Sequence, residues 1–353
     1  LYGEVRWPGT TWLENGVLHS GVPFDILLDE DAEGNGDPLA DYELVVVSGA
    51  ACLTRPMVAA LTRFSDRGGV VVTDAETRVA LPGALVLHAT DAAAASTRQL
   101  DAAEEDLKAA AGAVADPQYV EAMARLAESG ALQGMAEPEF LEILNSRLTP
   151  EARSLSPFTW LNLLEAEGAC YLGVVNDLRV RGPLYGHFGA VREVGVPQSA
   201  LVALKAALGS VAYDLLDHTQ VPLNAAGTTL TADLELAAGG GRVLVLLPAA
   251  IGRLDVQAQL VPAAWGDHRG RQVAVRAALL DDQGRIVPGL IPATLTLLHP
   301  DGSRSDFSHH TVFRRGVLDT ALPILANGPV GTWRLQVQEH ASGRTAEAQI
   351  PVR

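Results

Sequence analysis

The residues best suited to chemistry are few and scattered. Cys52 follows the strand-like run YELVVVSGA (42–50) and precedes a helix-like segment. A helix N-terminus favours a thiolate, so Cys52 is the candidate nucleophile of the chain. The base it would have to use is His19 or His88, and neither stands in a supporting motif. A nucleophile elbow places its Cys or Ser on the sharp turn after a central strand. Here the turn after GVVVTD (69–74) reads Asp74-Ala75-Glu76, with no Cys or Ser. Asp74 and Glu76 lie at a strand's carboxyl end, where α/β sheets bind ligands. Glycoside cleavage needs two carboxylates about 5–9 Å apart across a sugar, and nothing in the sequence supplies that second partner.

A second pattern is DEDAEGNGD (29–37). Asp29, Asp31 and Glu33 alternate and Gly34 follows, as in the opening of a calcium loop, with Asp37 close behind. The twelfth position is Ala40 where such a loop has Glu. Ca²⁺ held by Asp29, Asp31, Glu33 and Asp37 stands against the plainer reading of a polar surface loop. No other cofactor is expected, because the Rossmann and Walker A glycine patterns are absent. His309 and His310 are adjacent, so on a strand they point to opposite faces and do not chelate together. His187 lies in RGPLYGHFGAVRE beside Tyr185 and Phe188, a loop suited to sugar stacking or to plain turn packing. Trp265, in AAWGDHRGR, is the candidate contact for a glycan or protein partner. Trp333, in a strand-like run, fits a sandwich core.

The elements that must position these residues change character along the chain. Residues 1–95 alternate β and α. GVPFDILLD (21–29), YELVVVSGA, GVVVTD and LPGALVLH (81–88) read as strands. TRPMVAALTRFSDR (54–67) reads as a helix with Met57, Val58, Leu61 and Phe64 on one face, Thr54 as cap and Gly68-Gly69 as stop. The segments 101–115, 117–130 and 137–148 also read as helices. From 157 onward strands and turns prevail. A hairpin turns at Glu167-Gly168, and further turns fall at 281–284 and 300–302. SALVALKAALG (199–209) has a helix-like composition in an all-β context. The expected organisation is 1–155, an α/β domain with a helical segment 96–155; 156–252, a small β-sandwich; and 253–353, an immunoglobulin-like β-sandwich of ordinary size.

Composition narrows the functions. Of 353 residues, 42 are acidic and 26 basic, a net charge of −16. The sequence also carries no basic stripe of the kind a duplex-binding protein uses, and no polybasic membrane anchor, so neither partner is expected. No apolar run reaches the roughly 18 residues of a membrane-spanning helix. Two cysteines do not make a disulfide framework, nor do they stand at zinc spacing. The chain opens at Leu1 without a signal-peptide pattern, so a fragment or processed product is expected.

YELVVVSGAACLTRPMVAALTRFSDRGGVVVTD resembles the glutamine-amidotransferase-like domain, in the version found beside the barrel of family-42-type β-galactosidases and often called the trimerisation domain. WLNLLEAEGACYLGVVND, VAYDLLD and TTLTADLELAAGGGRVLVLLP resemble the small C-terminal β-domain of many glycoside hydrolases. DDQGRIVPG, LLHPDGS and GTWRLQVQEHASG resemble immunoglobulin-like modules of large secreted bacterial proteins. The resemblance implies an α/β flavodoxin-like (class I glutamine-amidotransferase-like) domain followed by two β-sandwich domains. It implies an extracellular, periplasmic or cell-surface location. It also implies a non-catalytic accessory region, packing against neighbouring domains of a larger carbohydrate-related chain or forming a homo-oligomer, with any glycoside hydrolase activity upstream. Two other readings stand beside it: a carbohydrate- or protein-binding module on the terminal sandwich, and a hydrolase or amidotransferase-like enzyme using Cys52.

Overall fold

The computed structural model describes residues 20–34, 36–74, 77–87, 138–156, 158–185, 190–262, 271–325 and 327–353. Among them, twenty-one strands stand against two α-helices. The expected α/β flavodoxin-like fold is therefore overturned: the chain is mostly β, and the glutamine-amidotransferase-like assignment falls with it. What the sequence pattern captured is one crossover. β1 (Leu44–Val47), α1 (Arg55–Asp66) and β2 (Val70–Asp74) form a parallel unit, and β3 (Leu85–Leu87) extends it in the order β1-β2-β3. A flavodoxin-like sheet has five parallel strands built from repeated βαβ units. GVPFDILLD, expected as a strand of that sheet, runs irregularly into a 3₁₀ turn at Asp29–Glu33. Its Phe24, Ile26 and Leu28 remain exposed, and among the described residues no layer covers them to reward an extended pairing.

The crossover helix forms as its pattern dictates. Thr54 accepts from the Met57 N–H, and Pro56 occupies the first turn. Met57, Ala60, Leu61 and Phe64 face a core that includes Val71. α2 (Pro138–Arg147) places Phe140 and Leu144 with Val72 and Leu87.

Eleven strands follow: β4 (Ala152–Ser154), β5 (Thr159–Ala166), β6 (Ala169–Asn176), β7 (Arg179–Tyr185), β8 (Ala190–Gly195), β9 (Gln198–Lys205), β10 (Val211–Asp214), β11 (Thr219–Val221), β12 (Asn224–Ala226), β13 (Thr229–Leu236) and β14 (Gly241–Leu247). They make a five-stranded sheet, β11-β10-β14-β6-β5, a four-stranded sheet, β12-β13-β9-β4, and the ribbon β7-β8. Burial alternates along β9 and β13, as one buried face requires. The ambiguous SALVALKAALG is β9 plus a 3₁₀ turn at Ala206–Leu208. The β5–β6 turn has φ of 51° at Glu167 and 93° at Gly168. Positive φ at both central residues is the type I′ geometry whose twist suits a two-residue hairpin.

The last seven strands are β15 (Arg253–Pro262), β16 (Arg271–Leu280), β17 (Ile291–Leu298), β18 (His309–Phe313), β19 (Val317–Ile324), β20 (Gly331–Glu339) and β21 (Thr345–Val352). They form sheets β15-β16-β19 and β18-β17-β20-β21. Alternate residues of β16, β17 and β20 share one core around the buried Trp333, the sandwich-core role expected of it.

Two compact units divide the chain. One gathers Leu1–Leu161, Val175–Ala200 and Glu235–Gly240; the other gathers Asn162–Val174, Leu201–Leu234 and Gly241–Arg353. The junction between the five-stranded sheet and the terminal sandwich lies within the second unit.

Candidate functional site

Two places concentrate polar groups with defined geometry. The first is the carboxyl end of the parallel sheet. Asp74 ends β2 with 2% of its surface exposed. Its carboxylate accepts from Ser48 Oγ, from the Gly49 N–H at 3.1 Å, and from Thr77 N–H and Oγ1 at 2.9 and 2.8 Å. The acid that the sequence placed at a ligand-binding strand end thus organises the two loops around it. Glu76 lies outside the described residues. A cavity of about 110 Å³ opens nearby between α1 and β1, lined by Leu27, Leu39, Val45, Val47 and Met57, with Asp29 as its charged group. Asp29 accepts from Thr54 N–H and Oγ1 at 2.9 and 3.0 Å, so it fixes the helix cap.

The other sequence candidates have separate tasks. Asp31 accepts from the Leu28 N–H at 2.7 Å. Asp37 pairs with Arg67; the Leu39 N–H and then the Arg67 guanidinium hold its carboxyl below the usual range. The side chain of Glu33 lies outside the described residues. Asp29 and Asp31 sit in a 3₁₀ turn, where three residues complete a revolution, so alternate side chains diverge. Among the described residues, no three His, Cys, Asp or Glu side chains converge in a geometry that could hold a metal ion. Cys52 is an exposed thiol before α1. His19, His88, His187 and Trp265 lie outside the described residues. His309 Nδ1 meets the Phe307 carbonyl, whereas His310 Nδ1 meets Thr294 Oγ1, so the pair splits as strand alternation requires.

The second place is the seam between the five-stranded sheet and the terminal sandwich. Tyr213 and Val245 are paired across β10 and β14, as are Val211 and Leu247. Together with Ala169 they put one apolar face of the five-stranded sheet into the same core as Ile291 and Val337. This is why GRVLVLLP is apolar without alternation: Leu244 and Leu246 are buried on one face, Val245 and Leu247 on the other.

Polar groups fix the seam. Tyr213 Oη accepts from the Ile251 N–H at 2.9 Å, and Arg344 Nε donates to the Ile251 carbonyl at 2.9 Å. Burial pushes the Tyr213 hydroxyl above its ordinary pKa, so it stays protonated. Tyr171, on the same sheet, is pushed up to about 12 by burial. The Arg344 loop is built on Glu339, a wholly buried carboxylate. Glu339 accepts from Ala341 N–H at 2.8 Å, Ser342 N–H at 3.0 Å, Arg344 N–H at 2.9 Å, and Ser342 Oγ. Gly343 has φ of 73°, and a Cβ there would come within 3.0 Å of His218 Cβ. Glycine is thus required both for the turn and for the close approach. Sequence reasoning missed Glu339, Tyr213 and His340. Glu339-His340 reads as an ordinary polar turn, and its partners are distant in sequence.

No family model matches this chain. No curated protein matches it. Among solved structures it is similar to the apo exo-carrageenase GH42 from Bacteroides ovatus, at TM-score 0.32 and 12% identity, covering 67% of this chain and 26% of that one. It is also similar to a Bacteroides uniformis β-glucuronidase, at TM-score 0.20 and 11% identity, covering 53% and 26%. A second β-glucuronidase of Bacteroides uniformis, bound covalently to cyclophellitol-6-carboxylate aziridine, scores 0.19 at 11% identity over 53% and 26%. The chain spans about a quarter of the length of each of these glycoside hydrolases. No described helix is long and apolar enough to cross a membrane.

Proposed function

We propose that this chain is a non-catalytic coupling region of a larger, exported, carbohydrate-related protein, in which the five-stranded sheet and the terminal sandwich act as one rigid spacer. The observation that carries the reading is the shared apolar core of the seam, where Ala169, Tyr213, Val245 and Leu247 pack with the terminal sandwich. Modules joined by a free linker would leave those side chains in water at a cost of about 1.5–3 kcal/mol for each large one. The glycoside-hydrolase-like segments of the sequence support the carbohydrate-related part, and catalysis belongs to another part of that protein. On this reading Asp74 and Asp29 shape loops, and Cys52 is a surface thiol.

Calorimetry of the intact chain tests the coupling. Residues 156–353 are expected to unfold in one cooperative transition, and separate transitions for 156–252 and 253–353 overturn the reading. A panel of aryl glycosides and glutamine tests the chemistry. No turnover is expected, and turnover abolished by Cys52→Ala would establish the enzyme reading instead.

A further inference from the structure

Two imidazoles meet across the seam, and a third stands behind them on the terminal sandwich. His218, in the turn before β11, and His340, in the turn after β20, have ring centroids 5.2 Å apart; His310 on β18 lies 6.4 Å beyond. His218 Nδ1 stands 2.7 Å from the His340 carbonyl, and a carbonyl can only accept, so that nitrogen carries the proton. Thr294 Oγ1 meets His340 Nε2 at 2.8 Å and His310 Nδ1 at 3.0 Å. A hydroxyl has one proton. With both rings neutral it donates to one nitrogen and accepts from the other. With both rings charged it faces two donors, and its own proton loses an acceptor.

We infer that His218, His340 and His310 form an acid-sensitive latch, which holds the terminal sandwich on the five-stranded sheet while His340 is neutral and loosens when it is protonated. The inference rests on the rigid-spacer reading, because it concerns the same seam. The groups facing His340 are His218 from the turn before β11, His310 from β18 and, on its own loop, Glu339. Arg344 is occupied by the Ile251 carbonyl, and Asp217, next to His218, by Arg242. Burial first, then His218 and His310, lower the pKa of His340 below 6.5; Glu339 opposes this. The unfolded or opened chain therefore binds the proton more readily. Seam stability is full above about pH 6.5 and falls as the pH drops from there towards the lowered folded value.

The test is hydrogen exchange of the intact chain at pH 7.5 and 5.5, corrected for intrinsic exchange, reading peptides over 211–221, 249–254 and 338–345. Protection of these peptides is expected to fall on acidification by up to about tenfold, the ceiling that an ordinary histidine pKa of about 6.5 in the opened state sets at pH 5.5. His340→Gln, neutral at both pH values, is expected to remove that dependence. Should His340→Gln fail to fold, His310→Gln on the exposed side decides, with a smaller acid loss expected. Equal loss in the variants, or protection unchanged between the two pH values, overturns the latch. Seam amides already unprotected at pH 7.5 overturn the rigid spacer instead.

Discussion

Asp74 and Glu339 are the same device in two settings. Each is a buried carboxylate at the end of a strand, and each gathers backbone and hydroxyl donors of the following loop. Asp74 ties Ser48, Gly49 and Thr77 together at the carboxyl end of a short parallel sheet. Glu339 shapes a loop whose next residues reach across the seam, through Arg344 to Ile251 and through the His340 carbonyl to His218. A buried acid at a strand end is thus not by itself a sign of catalysis. It satisfies donors that would otherwise be orphaned, and what its loop touches decides its wider consequence.

The comparison breaks most sharply at Glu339. Glu339→Ala strips the acceptor from four donors in a buried loop, and a cost of about 4 kcal/mol is expected from unsatisfied groups alone. Urea unfolding should show a lower midpoint with an unchanged slope. Exchange over 249–254 should rise as well, because the Arg344 contact loses its support. A loss confined to 339–345 would show that the loop does not transmit order to the seam. Asp74→Ala is the matched change. About 3 kcal/mol is expected, with increased exchange at 48–50 and 77–78. If Asp74→Ala proves neutral, a solvated strand end is the better description, and a ligand role for Asp74 regains interest.

Legibility in the sequence follows contact range. α1 was readable because its cap, first-turn proline and apolar face lie within fourteen residues, 54–67. The 167–168 hairpin was readable because Gly168, between two strand-like runs, suits a φ of 93°, although Glu167 at 51° is an uncommon residue for such a turn. The fold class was misread because one strong βαβ pattern was extended to a whole domain, while Phe24, Ile26 and Leu28 stay exposed instead of pairing in its sheet. The acidic spacing of Asp29 and Asp31 was legible, but their contacts in the 3₁₀ turn, Asp29 with Thr54 and Asp31 with the Leu28 N–H, were not, because the spacing says nothing of partners 25 residues away. The seam was out of reach, since His218 and His340 are 122 residues apart and neither stands in a local motif.

A finer test separates the seam's single hydrogen bond from its apolar packing. Tyr213→Phe keeps the ring and removes the acceptor for the Ile251 N–H. The expected cost is about 1 kcal/mol, the net value of one intramolecular hydrogen bond. A cost above about 3 kcal/mol would mean that the hydroxyl anchors the whole junction, and the apolar face would then be secondary.

The smallest effect is expected where the seam is joined by charge at its rim. Arg314 Nη1 meets Glu167 Oε1 at 2.7 Å, but the arginine side chain is 70% exposed. Water screens such a pair, and ordering a long side chain offsets much of the attraction, so Arg314→Ala is expected to cost under about 0.5 kcal/mol. Salt offers an independent check. Raising it to about 1 M shortens the Debye length to about 3 Å, and the single calorimetric transition of the two β-domains should survive. If salt instead splits that transition in two, the junction is held by rim charge, and the apolar face built from Tyr213, Val245 and Leu247 contributes less than its burial implies.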